Sequence, residues 1–163
     1  NSILVYPGAY FGTNRSYLGN VFITHPDARL GESWNGGSVV IAWDHAAKKI
    51  FNYHNGQNVV LHEFAHQLDQ EDGIANGLPF LDDKTSCVEW ARIMSSEYKN
   101  LKTKASKGIT DVIDVYGASN PAEFFAVATE TFFEEPAAMK SRHPELYEEL
   151  KNYYKLDPAL WAP

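Results

Sequence analysis

One run, VVLHEFAHQLD at residues 59–69, restricts the fold and chemistry of this chain more than any other segment. It places His62 and His66 four residues apart, with Glu63 directly after the first histidine. On a helix, positions i and i+4 lie one turn apart on the same face, so two imidazoles placed in this way can bind one Zn²⁺ ion. The adjacent carboxylate can then act on a metal-bound water molecule.

The neighbours of this motif favour a metal site over a solvated helix that carries two surface histidines. Most of the other positions are apolar: Val59, Val60, Leu61, Phe64, Ala65 and Leu68. A helix with this composition is largely buried, and a buried His–Glu–His cluster needs a partner that offsets the loss of hydration. A metal ion satisfies all three side chains.

The composition excludes several classes of protein. The chain has 163 residues, of which 44% are hydrophobic and 21% charged, so we expect one globular domain over residues 1–163. The net charge of −7 disfavours nucleic acid or an anionic membrane as a partner, and no apolar stretch approaches the length of a membrane span. The single cysteine, Cys87, excludes an internal disulfide.

The amino end carries no signal-peptide pattern, and we therefore expect a cytoplasmic protein. Residue 1 is Asn, however, and residues 4–6 already resemble an interior strand. We expect the full-length protein to have a further amino-terminal segment. A signal peptide in that segment would not be visible in this sequence.

The order of elements predicts an α+β fold, a small mixed sheet followed by helices. Asn120 and Pro121 are the cap and first residue expected of one helix, and Asp83 is a candidate cap of another. The predicted strands are residues 3–6, 21–24 and 38–43, and residues 111–116 are expected to be extended or irregular. The predicted helices run from residue 55 or 56 to about 73, from 85 to 103, from 121 to about 136 and from 144 to 154.

A catalytic zinc ion takes three protein ligands, and two segments offer the third. The one later histidine, His143, precedes Pro144 at the start of a helix and is expected at the surface. The run PAEFFAVATETFFEE instead offers Glu123 and Glu130, two turns apart on one helix face. Asn120 and Glu123 also match a capping box, in which the glutamate bonds back to the cap amide. From spacing alone, a metal-ligand role and a capping role are equally well supported for Glu123.

HEFAHQLD followed by YGASNPAEFFAVATETFF resembles the Mlc titration factor A family of zinc metallopeptidases. The likeness extends from VYPGAYF and ESWNGGSVVIAW through the last helix, and both motifs match in type, order and separation. More distantly, the second motif resembles the catalytic domain of anthrax lethal factor. The resemblance implies a zincin-like fold of the gluzincin kind, with one Zn²⁺ per chain bound by His62, His66 and Glu123. It also implies that Tyr116 assists catalysis.

The chain departs from these families at two points. Lethal factor has an acidic residue four positions after its ligand glutamate, where this chain has Val127. Members of the Mlc titration factor A family also begin with an amino-terminal segment that this chain lacks, which bears on partner binding more than on the metal site.

A mechanism follows from these roles. Zn²⁺ lowers the pKa of its bound water toward ~7. Glu63 is the expected general base, which takes the water proton and passes it to the leaving amine. Tyr116 would donate a hydrogen bond to the oxyanion of the tetrahedral intermediate, and the alternative for this residue is a buried core tyrosine.

Three supporting features are less determined by the sequence. Glu130 and Asp69 could each accept a hydrogen bond from a ligand histidine, and a solvated helix position is as well supported for both. By analogy with zincin-like folds, the strand Ser38–Trp43 is expected at the sheet edge that pairs with an extended peptide.

The favoured function is a zinc-dependent peptidase that acts on a peptide or protein substrate. The resemblance implies aminopeptidase-like activity, although the chain offers no recognisable subsite for a free amino terminus. The alternative is a metal-containing regulator that sequesters a transcriptional repressor, with weak or no hydrolysis. A third reading is an α+β domain that binds another first-row ion, including iron.

Overall fold

The computed structural model describes residues 2–18, 21–29, 31–34, 38–49, 58–81 and 84–161. Strands come first and helices follow, so the α+β prediction is confirmed. The strands are β1 (Ser2–Tyr6), β2 (Tyr10–Leu18), β3 (Val21–Arg29), β4 (Gly31–Trp34) and β5 (Ser38–Ala42). The α-helices are α1 (Trp43–Lys49), α2 (Val59–Asp69), α3 (Lys84–Ser106), α4 (Pro121–Glu134), α5 (Pro136–Arg142) and α6 (Pro144–Tyr154), with 3-10 helices at Val115–Ala118 and Pro158–Leu160.

The strands form two small sheets. The three-stranded sheet has the order β1-β5-β4, in which β5 is parallel to β1 and antiparallel to β4. The second sheet is the antiparallel pair β2-β3. Both β4 and β5 contact α2, so the three-stranded sheet lies against the helix that carries the two histidines.

The expectation that the strand from Ser38 to Trp43 forms a sheet edge is wrong. β5 is the central strand, since Val40 is in register with Leu4 on one side and with Glu32 on the other. The consecutive residues 39–42 are all buried, and burial on both faces is typical of a strand inside a sheet. The strand also ends one residue early, because Trp43 begins α1.

Helix α4 is the centre of the helical core. Ten residues of this helix, Ala122 and 124–132, are buried, so it has little solvent-facing surface. Trp90 of α3 packs edge-to-face on Phe125, with ring centroids 5.6 Å apart, and Phe132 lies 5.1 Å from the ring of Tyr147 on α6. Because α2 and α4 also contact each other, the central helix is held in place from several sides.

The predicted helix boundaries are most accurate where a proline begins the helix. α6 has the predicted bounds, and α4 begins at Pro121 as predicted. α2 begins at Val59 because Asn58 is extended and caps it, and the predicted start at residues 55–56 lies outside the described residues, as does the candidate cap Asp83. The sequence does not predict α1, α5, β2 or β4, and β3 is longer than predicted. None of the helices in the described ranges is long and apolar enough to pass through a bilayer.

The expectation that His143 lies at the surface is also wrong, since only 2% of the residue is exposed. α5 runs directly into α6 at this residue and turns its imidazole toward α3. His143 Nδ1 lies 2.7 Å from Glu97 Oε2, and His143 Nε2 lies 3.0 Å from Asp111 Oδ1. Lys104 Nζ donates to the other oxygen of Asp111 at 2.5 Å. These four charged groups form a polar network that links α3, residue 111 and the α5–α6 corner.

Candidate metal centre

Helix α2 presents the two histidines because its start is well defined. The side chain of Asn58 accepts hydrogen bonds from the backbone amides of Val60 and Leu61, at 3.1 and 3.2 Å. These bonds satisfy amides that the first turn of a helix leaves without partners. One turn further on, His62 and His66 lie side by side, with ring centroids 4.8 Å apart. The predicted pairing of the imidazoles on one helix face is observed.

Helix α4 supplies Glu123 from its first turn. Asn120 caps this helix by accepting the Glu123 backbone amide at 3.0 Å, and Pro121 occupies the first helical position. The Glu123 carboxylate turns toward α2, where its Oε2 lies 3.0 Å from His62 Nε2 and 3.5 Å from His66 Nε2. The backbone amide of Glu123 therefore bonds to the cap residue Asn120, while its carboxylate contacts the two imidazoles. The capping box, in which the carboxylate would bond back to the cap amide, is not the role that the side chain takes.

The three side chains form the one group of metal-ligand type found among the described residues, with ligand atoms within 4.8 Å of one another. His62 Nε2 and His66 Nε2 are 3.1 Å apart. Ligand atoms bound at ~2.0–2.1 Å to a tetrahedral zinc ion lie roughly 3.3 Å from each other. The three observed separations lie on either side of this value, so the donor set fits one small divalent cation.

Interactions within the cluster shift the pKa values of His62 and Glu123. Burial by itself lowers the pKa of His62, but hydrogen bonds to Glu123 and Glu130 outweigh burial and raise the pKa to about 10. Burial raises the pKa of Glu123, and hydrogen bonds to His62 and His66 outweigh it and lower the pKa to about 2. Glu123 and Glu130 therefore favour a positive charge at His62. A divalent cation bound at the same place would balance their negative charges in the same way.

Glu130 lies behind His62. Its Oε1 accepts from His62 Nδ1 at 2.7 Å, while its Oε2 accepts the backbone amide of Asn58. Asn58 Nδ2 donates to Glu134 Oε1 at 2.8 Å, so a second glutamate of α4 holds the same cap residue. Glu130 is buried, which excludes the solvated helix position that the sequence left open for it. This arrangement matches the acceptor that orients a metal-ligating imidazole through its other nitrogen.

Tyr116 and Glu63 flank the cluster. Tyr116 lies in the 3-10 helix Val115–Ala118, with its ring centroid 6.0 Å from that of His62. The residue is 55% exposed, which excludes the alternative of a core tyrosine. Glu63 is 7% exposed on α2 and directly follows His62, which contacts Glu123 and Glu130. Tyr116 thus lies beside His62, and the catalytic roles of Tyr116 and Glu63 stay predictions.

Asp69 takes neither of the roles considered for it. The residue is fully buried, which excludes a solvated position at the end of α2. Its two carboxylate oxygens accept the Gly77 backbone amide at 2.8 and 2.9 Å, and the amides of Asn76 and Leu78 lie near the same carboxylate. Burial raises the pKa of Asp69, and these amides oppose the rise. The Asp69 carboxylate organises the loop that follows α2.

Two residues of the site were missed from the sequence, and each carries a recognisable signal. Asn58 directly precedes the apolar run of α2, which is the expected place for a helix cap. Gly77 follows Asn76, and Asn-Gly is a strong turn dipeptide. The predicted start of α2, at residue 55 or 56, puts Asn58 inside the helix rather than at its cap, and Gly77 falls between the helices predicted to end near residue 73 and to begin at residue 85.

Comparisons with known proteins identify the family of this chain. The chain matches the glucose-regulated metallo-peptidase M90 family over residues 1–155. It is 41% identical over 162 residues to the uncharacterized protein slr2042 of Synechocystis sp., covering 98% of this chain and 59% of that protein. It is 30% identical to the Mlc titration factor A of Pectobacterium atrosepticum and 31% identical to that of Serratia proteamaculans, each over 163 residues and 97% of this chain.

The chain spans 60% and 61% of those two titration factors, so it corresponds to about three fifths of the length of its relatives. The resemblance to Mlc titration factor A proteins that the two motifs indicate is confirmed. Because the family match extends from the first residue to the end of α6, the chain belongs to the glucose-regulated metallo-peptidase M90 family.

Proposed function

We propose that this chain is a zinc-dependent peptidase with a zincin-like fold of the gluzincin kind, in which His62, His66 and Glu123 bind the metal. Membership of the M90 family supports a metallopeptidase-type domain. The observation that carries the proposal is the convergence of these three side chains from α2 and α4, at separations of 3.0–3.5 Å. Two neutral nitrogens and one carboxylate are a donor set typical of a catalytic zinc site.

In this mechanism each protein group has one task. When bound, a zinc ion would supply Lewis acidity toward a peptide carbonyl and a water molecule. Glu63 would accept a proton from a water molecule and pass it to the leaving amine. Glu130 holds the His62 ring by accepting from Nδ1, which directs Nε2 of the same ring toward Glu123.

Tyr116 stabilises the negative charge that develops on the carbonyl oxygen. Its exposure and its position beside His62 support this role, since the hydroxyl belongs to a ring that a bound peptide can reach. Removing one such donor costs about 3–4 kcal/mol of transition-state stabilisation in comparable enzymes.

The substrate is proposed to bind along β4. In the described part of the chain β4 pairs only with β5, and it contacts α2, whereas β1 lies on the far side of the sheet. An outer strand can hydrogen-bond an extended peptide as an added strand, which would bring its backbone alongside the metal helix.

The proposal is tested with Glu63→Gln. Zinc content, measured by elemental analysis of protein purified without added metal, should remain at one ion per chain, because Glu63 is not among the ligands. Hydrolysis of a peptide panel with free and with acetylated amino termini should fall roughly 100-fold or more, because the base is lost. Preference for free amino termini would support aminopeptidase-like action.

Glu71→Gln is the matched control, since Glu71 is exposed beyond the end of α2 and loses the same charge. It should keep both zinc and activity. Protein that contains no metal under replete conditions, or that contains iron in place of zinc, would contradict the zinc assignment. Wild-type protein that binds zinc but cleaves no peptide would contradict the peptidase assignment.

A second candidate function is suggested by the relatives named Mlc titration factor A. Under this alternative the chain binds a transcriptional repressor and the metal site is structural, which would place the protein in the cytoplasm. Titration of purified repressor against wild type and Glu63→Gln separates the two. Repressor binding without hydrolysis by either protein favours the regulator.

A further inference from the structure

The loop after α2 is fixed by a buried carboxylate rather than by apolar packing alone. Asp69, one turn beyond His66, directs both oxygens at the Gly77 amide. Trp90 Nε1 donates to the carbonyl oxygen of the same glycine at 2.9 Å. Both backbone polar groups of Gly77 are therefore bound by buried side chains, one from α2 and one from α3.

Gly77 also lies directly against the start of α4. Its φ is +78°, a conformation that L side chains rarely adopt, and a Cβ added here would come within 2.5 Å of the Pro121 carbonyl oxygen. Pro121 is the first residue of α4 and lies two residues before Glu123. The close approach of the two backbones is thus possible only with glycine at position 77.

These contacts connect the end of the histidine helix to the start of the glutamate helix. At the other end of α2, Glu130 and Glu134 hold Asn58. The three ligand side chains lie between these two attachments. Among the described residues, the contact at Gly77 holds the first turn of α4, and the bonds of Glu130 and Glu134 to Asn58 hold its later turns.

We propose that Asp69 and Gly77 are positioning residues for Glu123: they set the distance between the first turn of α4 and α2, so that the carboxylate meets both imidazoles. The inference rests on the proposed role of Glu123 as a metal ligand. Zinc–oxygen bonds occupy a narrow range of ~2.0–2.2 Å, so a small displacement of Pro121 is sufficient to weaken the site.

Gly77→Ala tests the proposal, and Gly73→Ala is its matched control. Gly73 also has a positive φ, +88°, but no atom lies within 4 Å of an added Cβ. Both variants therefore carry the same backbone strain, and only Gly77→Ala displaces Pro121. We expect Gly77→Ala to weaken Zn²⁺ binding roughly 10- to 100-fold in competition with a chromophoric chelator, and Gly73→Ala to leave it unchanged. The Co²⁺ absorption spectrum should change only in Gly77→Ala.

A double-mutant cycle with Glu123→Ala shows whether the effect passes through that carboxylate. In the Glu123→Ala background, Gly77→Ala should cause no further loss of zinc affinity. An equal loss in both backgrounds, or equal affinity of Gly77→Ala and Gly73→Ala, would overturn the positioning role while leaving the metal site intact. If Glu123→Ala binds zinc as tightly as wild type, the proposed ligand set is wrong and the inference is overturned with it.

Asp69→Asn provides a second route if Gly77→Ala does not fold. This variant keeps the side-chain volume but replaces one of the two acceptor oxygens that face the Gly77 N–H with an amide N–H₂ group, so the attachment of the loop is weakened. A smaller loss of zinc affinity than in Gly77→Ala is expected, again absent in the Glu123→Ala background. Thermal unfolding of the metal-free variants reports stability separately, and an affinity equal to wild type in folded Asp69→Asn would contradict the proposal.

Discussion

Glu130 shows how much of the site depends on a single side chain. One carboxylate oxygen accepts from His62 and the other accepts the amide of the residue that caps α2. The side chain therefore fixes both the ring that is proposed to bind metal and the helix that carries it. A carboxylate is suited to this position because both of its oxygens accept and neither donates.

We predict that Glu130→Gln weakens zinc binding roughly 10- to 100-fold, because the amide N–H₂ replaces one acceptor and confronts an N–H group. Glu134→Gln is the control, since Glu134 lies one turn along α4 and accepts from the Asn58 side chain rather than from an imidazole. Zinc affinity is measured by competition with a chelator. Equal affinity of the two variants would show that Glu130 does not orient His62.

At the scale of elements, α2 is a helix of ordinary length that carries both histidines of the candidate metal centre. It has 11 residues, a length at which an isolated helix is marginal in water. Its stability therefore depends on its cap and on its contacts with α4, β4 and β5. Asn58 contributes both to the cap and to the contact with α4, because its side-chain oxygen caps α2 and its amide group donates to Glu134.

Asn58→Ala should lower the free energy of unfolding by about 1–2 kcal/mol, since it removes the cap and the bond to α4. Asn58→Ser keeps a capping oxygen and should recover most of the loss. Urea unfolding of the metal-free proteins, followed by circular dichroism, measures both values. If serine recovers nothing, the cap contributes little and packing alone holds the start of α2.

At the scale of the whole molecule, the His143 network joins parts of the chain that the metal site does not touch. Burial lowers the pKa of His143, but hydrogen bonds to Glu97 and Asp111 outweigh it and raise the pKa above its ordinary value. Burial raises the pKa of Asp111, and bonds to Lys104 and His143 outweigh it and lower the pKa to about 2. Hydrogen bonding to His143 likewise lowers the pKa of Glu97.

The sign of the pH dependence follows from these directions. A raised histidine pKa stabilises the fold fully below about pH 6.5, the unfolded value, and the contribution disappears as the pH rises through the folded value. The lowered carboxyl pKa values stabilise the fold above about pH 4, and this contribution is lost as the pH falls toward the folded values. The network therefore contributes most between roughly pH 4 and pH 6.5.

We predict that His143→Gln lowers the free energy of unfolding more at pH 6 than at pH 9, because only protonated His143 gains from both carboxylates. Denaturant unfolding of metal-free wild type and variant at the two pH values measures the difference. Titration of His62 is common to both proteins and cancels. An equal loss at both pH values would show that His143 acts through packing and not through its charge.

The sequence alone predicted the candidate metal ligands and the helices that carry them. His62 and His66 share a face because the helix period is a local property, and Asn120–Pro121 begins α4 because capping involves only residues of one turn. The resemblance of two motifs was sufficient to indicate the family. These features depend on residues close together along the chain.

Only the tertiary structure decided where the buried polar groups find their partners. Glu123 turns to α2 rather than to its own cap, Asp69 binds the Gly77 amide, and His143 is buried against Glu97. The central place of β5 was decided in the same way, by strands on both sides of it. A buried charge must be paired, but its partner can come from any segment that packing brings near, and no local pattern specifies which one.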